Sequence, residues 1–140
     1  MSSADPGLSQ RPNIHAQTIL VVEDEIFVRC AIGDHLRTCG MHVIEAANAA
    51  EAIRVLASGT DIDLVFSDIE MPGSIDGLCL ARWITHEHPA IKVILTTAFA
   101  EEDRDSGAGY ALLLKPYGQH ELEDKIRMLL DGAGEAASSH

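Results

Sequence analysis

The chain has 140 residues, of which 46% are hydrophobic and 4% aromatic, and its formal net charge is −12. That length fits one domain with tails, the apolar content supports a core, and the charge argues against a nucleic acid partner. The apolar runs are too short to span a bilayer and no positive-then-apolar signal pattern opens the chain, so a cytoplasmic protein without membrane association is expected.

Residues 1–16 are rich in Ser, Pro, Gly, Asn and Gln and read as a flexible tail. Thr18 to Val22 reads as a strand and runs into Glu23-Asp24-Glu25. From Ile26 to Cys39 the period turns helical, with Val28, Ile32, Leu36 and Cys39 on one stripe and Gly40 as the stop. Met41 to Ala46 is a second strand. Asn48-Ala49-Ala50-Glu51 has capping-box spacing and opens a helix that buries Ala52 and Leu56.

Ile62 to Ser67 is the third strand, and Asp68 stands at its carboxyl end before Pro72-Gly73 turns the chain away. Taken alone, an acid there reads first as a turn or cap residue. Asp76 is a suitable N-cap for a helix to about His88, closed by Pro89. Ile91 to Thr96 is the fourth strand. Ala100 to Ser106 offers only a short polar helix. Tyr110 to Leu114 is the fifth strand, followed by Lys115-Pro116. Gly118 to Leu130 is the last helix, with Leu122, Ile126 and Leu129 on one face, and residues 132–140 read as a second flexible tail. The domain proper thus spans residues 17–131.

The three cysteines, Cys30, Cys39 and Cys79, include no Cys-x-x-Cys. They predict reduced thiols packed as small apolar groups, neither a disulfide framework nor a zinc site. His86 and His88 read as a polar helix end before they read as a surface zinc pair.

Strands and helices alternate five times, which predicts an α/β fold: a flavodoxin-like, doubly wound, five-stranded parallel sheet of order 2-1-3-4-5 with a shortened fourth helix. Ligands of such sheets bind at the carboxyl ends of the strands. Glu23, Asp24, Asp68, the Thr96-Thr97 pair and Lys115 all reach that edge. Crowded carboxylates repel and call for a cation, and hard oxygen donors favour Mg²⁺, with Mn²⁺ as the alternative. A carboxylate nucleophile, a metal, a lysine and a hydroxyl donor suit phosphoryl transfer to an aspartate. The plainer reading, that these groups form rim salt bridges, does not explain four strand ends carrying them at once.

These segments resemble the receiver domain of bacterial two-component response regulators, over Thr18 to Leu130. The resemblance rests on Val21-Val22-Glu23-Asp24-Glu25, Asp68-Ile69-Glu70-Met71-Pro72, Asp76-Gly77, Leu95-Thr96-Thr97-Ala98 and Leu114-Lys115-Pro116-Tyr117. The wording of the Met71–Gly77 stretch and Lys115-Pro116-Tyr117 looks like receivers found alone or appended to hybrid kinases in α-proteobacteria. The resemblance implies that Asp68 accepts a phosphoryl group from a histidine kinase or phosphotransfer protein. It implies Mg²⁺ on Asp24, Asp68 and the Glu70 backbone carbonyl, with Glu23 acting through a water. It also implies that Thr97 and Lys115 bind the phosphoryl oxygens. The protein would catalyse only its own phosphorylation and dephosphorylation and would signal to a downstream protein target, as a monomer or a phosphorylation-dependent dimer. Alternatives are a degenerate receiver used only for binding and an aspartyl-nucleophile hydrolase of the haloacid dehalogenase type. The few residues after Leu130 and the Met1 start predict a complete, stand-alone receiver. Leu112 stands where the family often has an aromatic switch residue, and Tyr110 shares its face. The segment from Phe99 to Gly109 is expected to be mobile until phosphorylation draws Thr97 inward.

Overall fold

A computed structural model describes residues 16–99 and 109–138, with backbone alone for 132–138. Five strands, β1 (Thr18–Val22), β2 (His42–Ala46), β3 (Leu64–Asp68), β4 (Lys92–Thr97) and β5 (Ala111–Leu114), form one parallel sheet of order β2-β1-β3-β4-β5. Four helices cover it: α1 (Ile26–Thr38), α2 (Ala49–Ala57), α3 (Gly77–Glu87) and α4 (Gln119–Ser138). The N-terminal tail, the short helix over Ala100–Ser106 and most of the segment expected to be mobile lie outside the described residues.

Strand alternation divides the core in two. Leu20, Val22, Val65, Val93 and Leu95 face α2 and α3, where Ala52, Leu56, Leu80 and Ile84 meet them. Ile19, Val21, Leu64, Phe66 and Ile94 face α1 and α4, meeting Ile32, Leu36, Leu122 and Ile126. Each face is apolar along the whole strand because helices cover both sides of the sheet. Tyr110, buried just before β5, and Leu112 both pack into the α2–α3 half.

The local signals hold. Asn48 Oδ1 accepts from the Glu51 amide at 2.8 Å, and Glu51 Oε1 reaches back to accept from the Ala47 amide at 2.7 Å. Asp76 Oδ1 accepts from the Cys79 amide at 2.9 Å at the start of α3. Gly40 takes φ +92°, and its amide donates to the Arg37 carbonyl, closing α1. The Lys115–Pro116 peptide is cis.

Three expectations need correction. The α1 stripe does not start at Val28, which is exposed together with Ile26 and Phe27; burial begins at Ile32. A helical period shows which residues share a stripe, not where along the stripe a partner surface begins. Cys30 and Cys79 are exposed rather than packed, and Cys39 is half-buried; all three are free thiols. Finally, α4 continues to Ser138, past the Leu130 at which the apolar period ends. Residues 132–138 continue the helix without an apolar period, so periodicity could not show it.

Candidate functional site

Register carries the chemistry to one edge. Val22 pairs with Ser67, Asp68 with Thr96 and Thr97 with Leu114, so Glu23, Asp68, Thr97 and Lys115 emerge side by side. Asp68 is buried, its side chain only 7% exposed, and both carboxylate oxygens are engaged. Oδ2 accepts from Lys115 Nζ at 2.8 Å, and Oδ1 accepts from the Glu70 amide at 3.1 Å. Burial pulls the Lys115 ammonium down, but the Asp68 hydrogen bond and the charges of Asp68, Glu23 and Glu70 outweigh it and leave its pKa raised.

Glu23 is buried and Asp24 exposed. Glu23 Oε2 accepts from the Glu25 amide at 3.0 Å, and Arg29 Nη1 donates to the Glu23 carbonyl at 2.8 Å. The Glu23 carboxyl is raised above its ordinary range. Burial is the main cause, partly offset by the Glu25 amide; the Asp68 and Asp24 charges add to it and Lys115 opposes it. Like-charge repulsion therefore acts here, but desolvation leads.

Thr97 and Thr96 part company as alternation requires. Thr97 Oγ1 donates to Glu70 Oε2 at 2.7 Å and accepts from the Phe99 amide at 3.1 Å. Thr96 Oγ1 is buried with no hydrogen-bond partner among the described residues.

Two residues near the site carry no role in the motif reading. Tyr117 stacks edge-on against Phe66, with ring centroids 5.8 Å apart, and its hydroxyl is pushed up to about 12 by burial and by the charges of Glu23 and Asp68. Its position directly after Lys-Pro was the available signal. Gly77 lies against the peptide that carries Asp68: a Cβ there would meet the Asp68 carbonyl oxygen, and Ile69 Cα at 2.7 Å. No local pattern announces that contact.

The model for the response regulator receiver domain matches residues 19–127. The chain belongs to the receiver domain family. It is 34% identical over 119 residues to the sensor kinase CckA of Brucella abortus, covering 81% of this chain and 12% of that protein. It is 35% identical over 115 residues to the aerobic respiration control protein ArcA of Escherichia coli, covering 80% of this chain and 48% of the relative. The receiver thus spans less than half the length of these curated relatives. Among solved structures, the response regulator TrrA of Thermotoga maritima matches with TM-score 0.73 and 36% identity, over 81% of this chain and 99% of that one. A receiver protein of Sinorhizobium medicae matches with TM-score 0.75 and 28% identity, over 85% and 98%. The chain accordingly carries a phosphorylatable receiver domain of a two-component system. Among the described residues no helix is long and apolar enough to cross a membrane.

Membership implies Mg²⁺-dependent phosphorylation, and the receiver rim fits a hard divalent cation. Its donors are carboxylate and carbonyl oxygens, and the charges of Asp68 and Asp24 already bear on buried Glu23. This sets up a test. With its folded pKa raised above 4.5, Glu23 contributes stability below that value and loses it as pH rises through the folded pKa. Ionised Glu23 therefore costs stability at neutral pH. Glu23→Gln is expected to raise the melting temperature there in the presence of a chelator, by an amount that shrinks on acidification through the carboxylate range. It should also reduce the stabilisation gained from Mg²⁺. Thermal melts across that range check this; a variant less stable than the parent at neutral pH would contradict it.

Proposed function

We propose that Asp68 of this receiver is the phosphoacceptor. A carboxylate oxygen of Asp68 attacks the phosphorus of a phosphohistidine, a P–O bond forms, the N–P bond breaks, and the imidazole leaves with a proton. Lys115, already on Asp68 Oδ2, neutralises charge on the arriving phosphoryl oxygens. Thr97, whose hydroxyl now donates to Glu70, re-aims toward a phosphoryl oxygen. Asp24 and Asp68, with the Glu70 backbone carbonyl, hold Mg²⁺, or Mn²⁺ in its place, and Glu23 acts through a water. When bound, the ion offsets negative charge between the acids and the phosphoryl group.

The observation that carries this reading is the buried Asp68 carboxylate held by Lys115 at 2.8 Å beside a buried Glu23. The Thermotoga relative supports it from outside, since it was crystallised with Mg²⁺ and BeF. The donor is a histidine kinase or phosphotransfer protein. Exposed Ile26, Phe27 and Val28 follow directly after the acids and offer it an apolar contact. The output is a protein target rather than nucleic acid, read in the cytoplasm by a monomer or a phosphorylation-dependent dimer.

Acetyl phosphate supplies the test. The parent should take up one phosphoryl group per chain only when Mg²⁺ is present, and should release phosphate no faster than the label decays once acetyl phosphate is removed. Turnover without accumulation of label would instead favour an aspartyl-nucleophile hydrolase, and no label and no turnover would favour a receiver used only for binding.

A further inference from the structure

Away from the phosphoryl rim, α1 and α4 bring together side chains that are far apart in sequence. His35 on the last turn of α1 and Cys39 at its C-cap stand four residues apart; His120 and Glu123 stand i and i+3 on α4. His35 Nε2 lies 3.7 Å from Cys39 Sγ and 3.5 Å from Glu123 Oε1. One ligand atom from each of His35, Cys39 and Glu123 falls within 4.8 Å of the others, the one such group among the described residues. The histidines on α3 are placed differently: His86 Nδ1 faces its neighbour Glu87, and the His88 ring tilts against Trp83.

We propose that His35, Cys39 and Glu123 form a zinc site that ties α1 to α4, with His120 as the fourth ligand. The donor set is nitrogen, sulfur and carboxylate oxygen, a combination that suits zinc and not Mg²⁺. The spacing agrees. With ordinary zinc bond lengths and tetrahedral angles, a nitrogen and a thiolate sit about 3.6 Å apart and a nitrogen and a carboxylate oxygen about 3.4 Å. The observed 3.7 and 3.5 Å match these two edges, and the third, Cys39 to Glu123, lies within 4.8 Å. His120 Nδ1 is 3.7 Å from the same Glu123 oxygen and its side chain is exposed, so filling the fourth position requires that side chain to turn toward His35 and Cys39. Its ring already meets His35 edge-on, with centroids 5.9 Å apart.

The supporting contacts fit the same purpose. Glu123 offers Oε1 to the cluster, while Oε2 accepts from Arg127 Nε at 3.0 Å. Arg127 Nη2 also donates to the Cys39 carbonyl at 3.4 Å. One guanidinium thus steadies the carboxylate and the cysteine backbone, as partners behind metal ligands do. Arg127 is a positioning residue here. The receiver would then take two different cations: a hard one on the carboxylate rim and zinc between the helices.

Calorimetric titration of Zn²⁺ into the metal-stripped chain, with Mg²⁺ in excess, tests this. One zinc per chain should bind at micromolar concentration or tighter, and Co²⁺ in its place should show thiolate-to-metal absorption. Cys39→Ser and His35→Gln should each weaken binding at least tenfold, and Arg127→Met by about ten- to a hundredfold. His86→Gln should leave it unchanged. Each variant's Mg²⁺-dependent thermal shift reports that its fold is intact. Parent-like affinity in Cys39→Ser, or cobalt binding without the thiolate band, would overturn the proposal. So would a zinc affinity lost in Asp24→Asn but kept in His35→Gln, because the ion would then be on the rim.

Discussion

Asp68→Asn is expected to reduce phosphoryl incorporation from acetyl phosphate to background while leaving the receiver folded. The amide is not a nucleophile toward phosphorus, so no acyl phosphate forms. Its oxygen still accepts from the Glu70 amide, but its NH₂ cannot serve Lys115, which loses a charge-assisted bond of 2.8 Å. Hydrogen bonds to charged groups contribute about 1.5–3 kcal/mol, discounted here because Lys115 is 36% exposed and rehydrates. Removing a negative charge beside buried Glu23 works in the opposite direction. The net change in stability is therefore expected to be small at neutral pH. At alkaline pH the two proteins should separate differently. The Lys115 pKa is raised above 10.5, so its contribution is present below that value and lost as pH rises through the folded pKa. In Asp68→Asn the largest support for that shift is gone, and the alkaline loss of stability should flatten. Intact-protein mass spectrometry and melts across the alkaline range check both parts. Label retained in the variant would move the acceptor elsewhere, and Asp24, the exposed acid beside it, would be examined first.

Gly77→Val is expected to damage both stability and phosphorylation, although residue 77 carries no chemistry. Its amide donates to the Ile69 carbonyl at 2.9 Å, which seats the start of α3 on the peptide following Asp68. Any Cβ there meets backbone: the Asp68 carbonyl, and Ile69 Cα at 2.7 Å. Backbone cannot swing aside as a side chain can, so α3 or the Asp68–Ile69 peptide must move. Overpacking of this kind costs about 1–3 kcal/mol. Helix propensity alone predicts the opposite sign for alanine, by about 1 kcal/mol in its favour. Gly77→Ala is therefore the sharper comparison, and a stabilised alanine variant would show that the contact relaxes freely. Gly118→Ala, directly before α4, is the control: nothing lies within 4 Å of its Cβ position, so the change carries no steric cost, only the preference for glycine over alanine at a helix N-cap, up to about 1 kcal/mol. Denaturant melts and the rate of acetyl phosphate labelling measure the two effects separately.

What the sequence disclosed was local or periodic. The caps at Asn48 and Asp76 depend on residues three apart, and the strand ends at Val22, Asp68 and Leu114 on apolar runs meeting polar groups. Alternation then leaves little choice of sheet order. What stayed hidden was non-local. Exposure of Ile26, Phe27 and Val28 depends on what packs opposite them, which a helical period does not encode. The steric role of Gly77 depends on another segment's carbonyl. The meeting of His35 and Cys39 with Glu123 depends on how α1 and α4 lie together, which no spacing within either segment encodes.

The order β2-β1-β3-β4-β5 also sets a sequence of assembly. β1, β2 and β3 with their two crossover helices form a contiguous unit that leaves the ribosome first. That unit already contains Glu23, Asp24 and Asp68, whereas Lys115 follows β5, the last strand made. The growing chain therefore gathers its acids before the lysine that offsets them exists. Over that interval the acids lack the lysine that the finished sheet sets beside Asp68, so the order of synthesis places the charge balance of the rim after the closing of its central strands.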